Sequence, residues 1–383
     1  MEDESFGKRK EQGFTLCGPQ GRVYEKGVED MRKFAVFSGF LGAGKTTAMM
    51  ALTRFYTERY GKAAMISNDL GAGVTLADHK LAQLNGCRAL QITDECICFC
   101  HDVLTERLNA CYAEGCELVL SDIPGFGVGA QEHVYHGLTR DYPGQVELAP
   151  FTVLIEPQNL ALLRDGQAGD MGYILDAQLR EADLIVLNKC DLLDGPEREA
   201  ALAWLAARYP WTERLALSAK SGEGLDALAR ALREGKASLR RPDIDYDADT
   251  LQDAMGSLSE YYLQYRALVC CDDFDGSAYL LELAREIRTA VRDAGGEIPH
   301  LKLLAWGPEG DYGKADLLGT DRPIELPHRF ARPCTDLAVL LNASAVCPDE
   351  TLDRLLGRAV RTVSDRYGLE LTVFRKDHFG LGD

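Results

Sequence analysis

Short apolar runs alternate along the chain with longer segments whose apolar residues recur at helical spacing. The apolar runs are Phe34–Ser38, Ala63–Ser67, Ala89–Ile92, Leu118–Ser121, Phe151–Ile155, Leu184–Leu187 and Leu215–Leu217. Helical segments fall between most of them, for example at Lys45–Arg59, His101–Glu114 and Glu197–Arg208. Strands that alternate with helices indicate a parallel sheet covered on both faces. The pattern therefore predicts an α/β domain over residues 31–240.

A second pattern begins near residue 261. It predicts strands at Tyr265–Cys271, Leu301–Trp306, Asp336–Asn342 and Glu370–Phe374, and helices at Ser277–Ala294 and Asp349–Tyr367. The order β-α-β-β-α-β is typical of ferredoxin-like domains. We therefore expect a smaller α+β domain over residues 261–383, a linker at 241–260 and an N-terminal arm at 1–30. The linker contains five aspartates that we interpret as solvated charge, namely Asp243, Asp245, Asp247, Asp249 and Asp253.

The composition narrows the range of partners. The chain of 383 residues carries a formal charge of −18, which argues against binding to the phosphate backbone of a nucleic acid. It contains no apolar run long enough for a membrane span, and the N-terminus lacks the apolar core of a signal peptide. We therefore expect a cytoplasmic protein. Its twelve cysteines are then expected to be thiols or metal ligands rather than disulfides.

A glycine-rich segment follows the first apolar run and matches G-x-x-x-x-G-K-[ST], the P-loop pattern. Its glycines allow backbone N–H groups to face a β-phosphate, and the helix that follows favours an anion at its N-terminus. Lys45 would contact the β- and γ-phosphates and Thr46 would bind Mg²⁺. We predict a P-loop NTPase domain whose nucleotide contacts include Gly39, Gly42, Ala43, Gly44, Lys45, Thr46 and Thr47.

A second phosphate-side motif, D-x-x-G, closes the strand that begins at Leu118. P-loop NTPases place a carboxylate here that faces Mg²⁺ directly or through water, which is the role expected of Asp122. Gly125 can offer its N–H to the γ-phosphate and move when that phosphate leaves. We assign Lys45 and Asp122 to catalysis and expect slow hydrolysis of the nucleotide.

The motif N-K-x-D at the end of the strand Leu184–Leu187 indicates which base is bound. The Asp191 carboxylate can accept from N1–H and the exocyclic amine of guanine, a donor pair that adenine lacks. Asn188 would support O6 and N7 of the base, and the stem of Lys189 would cover the ring. A second guanine loop is expected at Ser218, Ala219 and Lys220. The sequence thus favours GTP over ATP.

Three cysteines, Cys96, Cys98 and Cys100, occupy alternate positions between the P-loop and the D-x-x-G motif. In an extended chain they would point the same way, and thiolates suit Zn²⁺ and similar divalent metals. We predict a Zn²⁺ or Co²⁺ site here, with buried packing thiols or a redox switch as the alternatives. Residues that could complete or assist such a site are His101, Cys87, His133 and His136, although we favour surface positions for the last two.

The P-loop segment GFLGAGKTT, the Asn68-Asp69-Leu70-Gly71 turn, the cysteine cluster and NKCD together resemble the CobW-type GTPases, which belong with the hydrogenase and urease nickel-insertion GTPases. The resemblance covers roughly residues 31–240. It implies that the Asp69 carboxylate lies near Mg²⁺ and that the cysteine motif carries a transferred metal. Two departures are present: the family motif C-x-C-C is replaced by C-x-C-x-C, and E-T-x-G by the segment Ser121–Gly125.

The resemblance implies a GTP-dependent metallochaperone, or an activator of a metalloenzyme or corrinoid protein, in which the metal site responds to the nucleotide. Two alternatives remain open. One is an activator of a corrinoid or nitrile-hydrating enzyme that carries no metal itself. The other is a non-enzymatic regulator that senses GTP state and metal or redox state. The expected ligands are GTP, Mg²⁺ and Zn²⁺ or Co²⁺, and the expected partner is a client enzyme, with a homodimer also possible.

Overall fold

A computed structural model describes residues 32–169, 171–240, 250, 255–269 and 273–382. The expected N-terminal arm, the five linker aspartates and the strand positions Cys270 and Cys271 lie outside these residues. No helix among the described residues is both long and apolar enough to cross a membrane.

The first sheet is built from parallel strands in the order β3-β2-β4-β1-β6-β7-β8, and the short strand β5 also pairs with β1. Its strands are β1 (Lys33–Ser38), β2 (Lys62–Asn68), β3 (Arg88–Ile92), β4 (Cys116–Asp122), β5 (Glu147–Leu148), β6 (Thr152–Ile155), β7 (Leu184–Leu187) and β8 (Glu213–Ala216). The seven apolar runs of the sequence all overlap with strands. The parallel α/β prediction is therefore confirmed.

Helices cover both faces of this sheet and enclose two apolar cores. They are α1 (Lys45–Arg59), α2 (Ala77–Leu84), α3 (His101–Ala113), α4 (Gly137–Asp141), α5 (Pro157–Arg164), α6 (Met171–Glu181), α7 (Gly195–Arg208) and α8 (Leu225–Glu234), with a π-helical turn at Gln131–His136 and a 3-10 turn at Cys190–Leu192. Because the strands are parallel, the loops that leave β1, β2, β4 and β7 emerge at one edge of the sheet. The P-loop and the D-x-x-G and N-K-x-D motifs lie on these loops, and the expected second guanine loop at Ser218–Lys220 follows β8.

The second sheet is antiparallel, with the order β12-β11-β10-β13-β9-β14. Its elements are β9 (Leu258–Val269), α9 (Gly276–Asp293), β10 (Glu297–Trp306), β11 (Tyr312–Leu317), β12 (Glu325–His328), β13 (Asp336–Val346), α10 (Asp349–Arg366) and β14 (Leu369–Gly380). The order β14-β9-β13-β10 is that of a ferredoxin-like sheet, as predicted. The hairpin of β11 and β12 extends it by two strands that the sequence pattern did not indicate.

The central strands of the second sheet are covered on both faces, whereas much of the edge strands β12 and β14 is exposed. One face packs on α9 and α10 and forms the core of this domain. From the other face, Leu304, Leu340, Trp306 and Tyr312 join the apolar cluster around α1 and α2 of the first domain. The ferredoxin-like sheet therefore lies against α2 through β10 and β13.

Candidate functional site

The P-loop requires glycine at two positions because neighbouring elements approach closely. At Gly39 φ is +132° and a Cβ would collide with the Leu154 carbonyl of β6. At Gly44 φ is +86° and a Cβ would lie 2.5 Å from Nδ2 of Asn188. Both φ values are disfavoured for residues with a side chain. The loop is thus fixed by its contacts with β6 and with the N-K-x-D motif.

The P-loop lysine is folded back onto its own loop. Nζ of Lys45 donates to the Gly39 carbonyl at 2.6 Å. Burial lowers the pKa of Lys45, whereas the Asp122 carboxylate raises it, and the net shift is downward. Helix α1 begins without a side-chain cap, so its first N–H groups are available to an anion. A bound phosphate would offer Lys45 a charged partner in place of the carbonyl.

The carboxylates expected near Mg²⁺ lie at the ends of two adjacent strands. Asp122 ends β4 and accepts from the Asn68 N–H at 2.9 Å. Burial raises the pKa of Asp122 to about 7, and the nearby Asp78 carboxylate adds to the shift. Asp69 follows β2 and accepts from the Tyr262 hydroxyl of the second sheet at 2.6 Å. Burial also raises the pKa of Asp69.

These groups fit a bound magnesium ion. Thr46, Asp69 and Asp122 offer the oxygen ligands that Mg²⁺ prefers. Burial together with mutual repulsion disfavours the charged form of both carboxyls. A divalent cation would offset that repulsion. If bound here, Mg²⁺ would neutralise charge on the β- and γ-phosphates.

The sequence analysis did not identify Asp78 on α2. Its carboxylate lies near the Thr46 hydroxyl and pairs with Lys302 of β10, whose Nζ lies 2.5 Å from Oδ1. Burial alone raises the pKa of Asp78, but Lys302 and Thr46 lower it to about 2. No motif surrounds Asp78, so only the tertiary structure relates it to the P-loop.

The guanine motifs form a connected framework. The Asn188 side chain donates to the Ala43 carbonyl at 2.8 Å and accepts from the Ala219 N–H at 3.3 Å. These contacts give Asn188 a bracing role between the P-loop and the Ser218–Lys220 loop. The base contact expected of Asn188 stays a prediction. Lys189 adopts a left-handed backbone with φ of 56°. The Asp191 carboxylate is exposed, as a base-binding group without its ligand would be.

Gly125 lies directly beside the P-loop. A Cβ at this glycine would be 2.5 Å from Cδ2 of Leu41. Its carbonyl accepts from Gln178 of α6 at 3.0 Å, and Gln178 also donates to the Gly127 carbonyl. The D-x-x-G loop is thus held between the P-loop and α6. Of the remaining P-loop residues, Thr47 is exposed at the start of α1.

The cysteine segment does not have the extended conformation assumed in the sequence analysis. It forms a turn, in which the Cys98 N–H donates to Sγ of Cys96 at 3.4 Å and Sγ of Cys100 donates to the Cys96 carbonyl at 3.4 Å. Asn68 imposes the turn, because its side chain donates to the Glu95 carbonyl at 2.8 Å and accepts from the Ile97 N–H at 3.0 Å. The alternating-strand argument for convergence was therefore wrong.

The thiols occupy two environments. Cys98 and Cys100 are buried in an apolar core, and Cys96 packs beside it. Interaction with the Cys98 thiol lowers the pKa of Cys96, while burial raises the pKa of Cys100 to about 11. Within the described part of the chain, no three His, Cys, Asp or Glu side chains are placed to hold one metal ion. Metal capture by all three thiols would require Cys100 to leave the Cys96 carbonyl.

The four residues named as auxiliary ligands do not surround the thiols as a set. His101 pairs with Asp141, with 3.1 Å between Nδ1 and Oδ2. His136 lies beside Glu132, with 3.7 Å between Nε2 and Oε2. Cys87 is buried and directs its Sγ towards the Met50 carbonyl. The ring of His133 lies 5.5 Å from that of Phe99, and both line a pocket of about 460 Å³ together with Cys98 and His101.

The first domain of this chain is similar to known proteins. Residues 33–211 match the family model of the CobW/HypB/UreG nucleotide-binding domain. Among solved structures, HypB from Helicobacter pylori in complex with nickel is 16% identical, with 55% of this chain and 91% of that chain covered and a TM-score of 0.40. Zn(II)-bound YjiA GTPase from E. coli is 15% identical, with 85% and 98% covered and a TM-score of 0.34.

The matched residues 33–211 include the P-loop, both magnesium-side carboxylates, the cysteine turn and the N-K-x-D motif. The resemblance noted in the sequence is thus confirmed at the level of the family. Through these residues, the chain matches the nucleotide-binding domain of the CobW/HypB/UreG family.

Proposed function

We propose that this protein binds Mg–GTP, hydrolyses it slowly, and uses the cycle to control a thiolate site that carries Zn²⁺ or Co²⁺ to a client metalloenzyme or corrinoid protein. Lys45 and Asp122 act on the phosphates, Thr46, Asp69 and Asp122 hold Mg²⁺, and Asp191 selects guanine. Cys96 and Cys98 begin metal capture because the Cys98 N–H donates to the Cys96 sulfur, which keeps the two residues together in one turn. Cys100 joins them when the turn rearranges.

One observation carries the proposed coupling: Asn68 belongs to both sites. Its backbone N–H is bound by the Asp122 carboxylate, and its side chain holds the cysteine turn at Glu95 and Ile97. A change of partner at Asp122 when Mg–GTP binds would act on Asn68 through one hydrogen bond. Two ligands influence each other only if they favour the same conformer, and the effect is reciprocal.

The test is a Co²⁺ titration of the purified full chain, monitored through thiolate-to-cobalt absorption, with a nonhydrolysable GTP analogue or with GDP. We expect the two affinities to differ by about 5-fold or more. Phosphate release measured in parallel should give a turnover below the ~10 s⁻¹ typical of enzymes. Identical Co²⁺ affinities in both nucleotide states would contradict the coupling.

A matched control is available because a second pair of thiols is in contact, Cys111 with Cys116. Replacement of both Cys96 and Cys98 by serine should remove the thiolate signal. Replacement of Cys111 and Cys116 should leave it intact. If neither pair affects the titration, the cysteine turn is not the metal site.

The burial of Cys98 and Cys100 in an apolar core favours, as a second candidate, an activator that does not carry metal. Under this alternative the cysteines stabilise the turn, and the client is remodelled by nucleotide-driven movement. The alternative predicts no thiolate–cobalt signal and full activation of the client by the Cys96→Ser, Cys98→Ser variant. Negligible turnover with metal-dependent partner binding would instead indicate a regulator.

A further inference from the structure

A charged side chain of the second sheet enters the nucleotide site. Lys302 lies on β10, on the face that packs against the first domain, two positions before Leu304 of the shared apolar cluster. Its side chain is only 12% exposed, and its Nζ lies 2.5 Å from Oδ1 of Asp78. Burial lowers the pKa of Lys302, but the Asp78 carboxylate raises it above the usual value, so the ammonium stays charged.

Only one residue separates Lys302 from the P-loop. Asp78 accepts from the Lys302 ammonium and lies near enough to the Thr46 hydroxyl for that hydroxyl to lower its pKa. The positive charge of Lys302 is also near enough to depress the pKa of Lys45, after the larger effects of burial and Asp122. Two lysines from different domains therefore share one region with Asp69, Asp78 and Asp122.

A second contact fixes the sheet over the loop. Leu318, directly after β11, lies so close to Gly42 that a Cβ on that glycine would be 3.4 Å from Cδ1 of Leu318. The P-loop is thus contacted from the second sheet at its apex and, through Asp78, at Thr46. This placement confines Lys302 to the vicinity of any bound triphosphate.

The ion pair of Lys302 with Asp78 is expected to contribute little to the stability of the fold, which points to a functional role for it. A buried ion pair gains little over well-packed apolar residues, because both charges must lose water. A lysine is, however, a flexible point charge that binds phosphate well. Magnesium nucleotide would add negative phosphate oxygens close to an ammonium that has only one carboxylate partner within 4 Å among the described residues.

We propose that Lys302 is a phosphate-contacting residue that the second sheet supplies to the nucleotide site. When Mg–GTP binds, the Lys302 ammonium passes from Asp78 to oxygens of the γ-phosphate, and Asp78 stays beside the Thr46 hydroxyl. GDP lacks those oxygens, so the ion pair with Asp78 persists. The second sheet thereby distinguishes GTP from GDP. This inference rests on the proposed GTP binding.

The test compares equilibrium affinities of fluorescent GDP and a fluorescent nonhydrolysable GTP analogue, both with Mg²⁺, for the full chain. Lys302→Met should weaken binding of the GTP analogue about 10-fold or more and change GDP binding less than about 2-fold. Lys302→Arg should retain most of the preference. An equal loss for both nucleotides, or no loss for either, would overturn the proposal.

Lys314 provides the matched control. It lies on the neighbouring strand β11, is also 12% exposed, and pairs with Asp316 at 2.5 Å. Lys314→Met should leave the GTP-to-GDP affinity ratio unchanged, and a similar loss of this ratio would show that Lys302 acts through general packing.

Folding of each variant is followed by thermal unfolding. If Lys302→Met alone does not fold, the double variant Lys302→Met, Asp78→Asn removes both buried charges and should show the same selective loss for the GTP analogue. Wild-type protein that binds neither nucleotide would overturn the proposed function as well. Wild-type binding with an unchanged ratio in the variants would overturn only the role of Lys302.

Discussion

The side-chain oxygen of Asn68 accepts a hydrogen bond from the Ile97 N–H at 3.0 Å, so the end of β2 directly holds the cysteine turn. The Asn68 side chain is buried and makes its other contacts with the Glu95 and Ile92 carbonyls. Removal of this amide leaves buried backbone groups without partners, each of which costs about 1–3 kcal/mol.

From this contact we predict that Asn68→Ala lowers the unfolding free energy by about 1–3 kcal/mol and equalises the Co²⁺ affinities of the GTP-analogue and GDP states. Chemical denaturation and the cobalt titration measure the two effects. Asn85→Ala, which also removes side-chain hydrogen bonds, should leave the nucleotide effect in place. If the Co²⁺ affinity of Asn68→Ala still differs between the GTP-analogue and GDP states, the proposed coupling through Asn68 is contradicted.

The exposed Asp191 leads to a prediction about the base. Asp191→Asn exchanges a carboxylate that accepts two hydrogen bonds for an amide with one acceptor and one donor group. Binding of GTP should weaken at least about 100-fold, and a base with a carbonyl in place of the exocyclic amine should be preferred. Competition with fluorescent GDP measures both.

The control for Asp191→Asn is Asp194→Asn. Asp194 caps α7, and asparagine is an equally good N-cap residue. This variant should bind GTP normally. Equal behaviour of the two variants would contradict base recognition by Asp191.

Two glycines with left-handed backbone allow the cost of backbone strain to be distinguished from the cost of a steric clash. Gly44 has φ of +86° and faces Asn188, whereas Gly86 has φ of +73° and no atom within 4 Å of the place that a Cβ would occupy. Gly86→Ala should cost only the conformational penalty, about 1–2 kcal/mol. Gly44→Ala should cost more and abolish nucleotide binding, because the Asn188 brace must move. Thermal unfolding and fluorescent-nucleotide binding compare the two variants. The prediction is contradicted if Gly44→Ala and Gly86→Ala behave alike.

Glu260 on β9 gives a pH-dependent prediction. Burial raises its pKa well above the usual value, the Asp69 carboxylate adds to the shift, and the neighbouring Ser344 and Tyr262 hydroxyls oppose it. The folded state therefore disfavours the charged form, and each pKa unit of displacement corresponds to about 1.4 kcal/mol. That cost is absent below the unfolded pKa and grows as pH rises towards the folded pKa.

Glu260→Gln should accordingly raise the unfolding temperature at pH 8, and the gain should fade as pH falls towards 4. Thermal unfolding across this range measures it. Glu282→Gln is the contrasting variant, since Arg366 lowers the pKa of this exposed carboxyl. A benefit of Glu260→Gln that is the same at pH 4 and pH 8 would contradict the assignment.

The sequence predicted the parts of the fold and site that depend on local patterns. The parallel sheet followed from apolar runs, and the P-loop and N-K-x-D motifs followed from fixed spacings. Asp78 and Lys302 could not be found in this way, because 224 positions separate them and no motif contains either residue. The β11–β12 hairpin was also missed, since its edge strand Glu325–His328 is short, polar and contains a proline.

The cysteine turn shows a different limit. Alternate spacing indicates a shared direction only if the backbone is extended. Here the backbone is bent: Asp94 has φ of +75°, and the Asn68 side chain holds the chain on either side of Cys96. The conformation of a short polar segment is thus decided by a residue some thirty positions away.

Because Leu318 contacts Gly42, the rate of nucleotide exchange should depend on how the two domains pack. Because Leu318 extends from a strand whose sheet is fixed on its far side by α9 and α10, the P-loop cannot shift outwards at its apex without moving that sheet. The dissociation rate of a nucleotide then reports how stably the ferredoxin-like domain packs on the first domain. Substitutions beneath α9 or α10, remote from every phosphate contact, would be detected as altered lifetimes of the bound nucleotide.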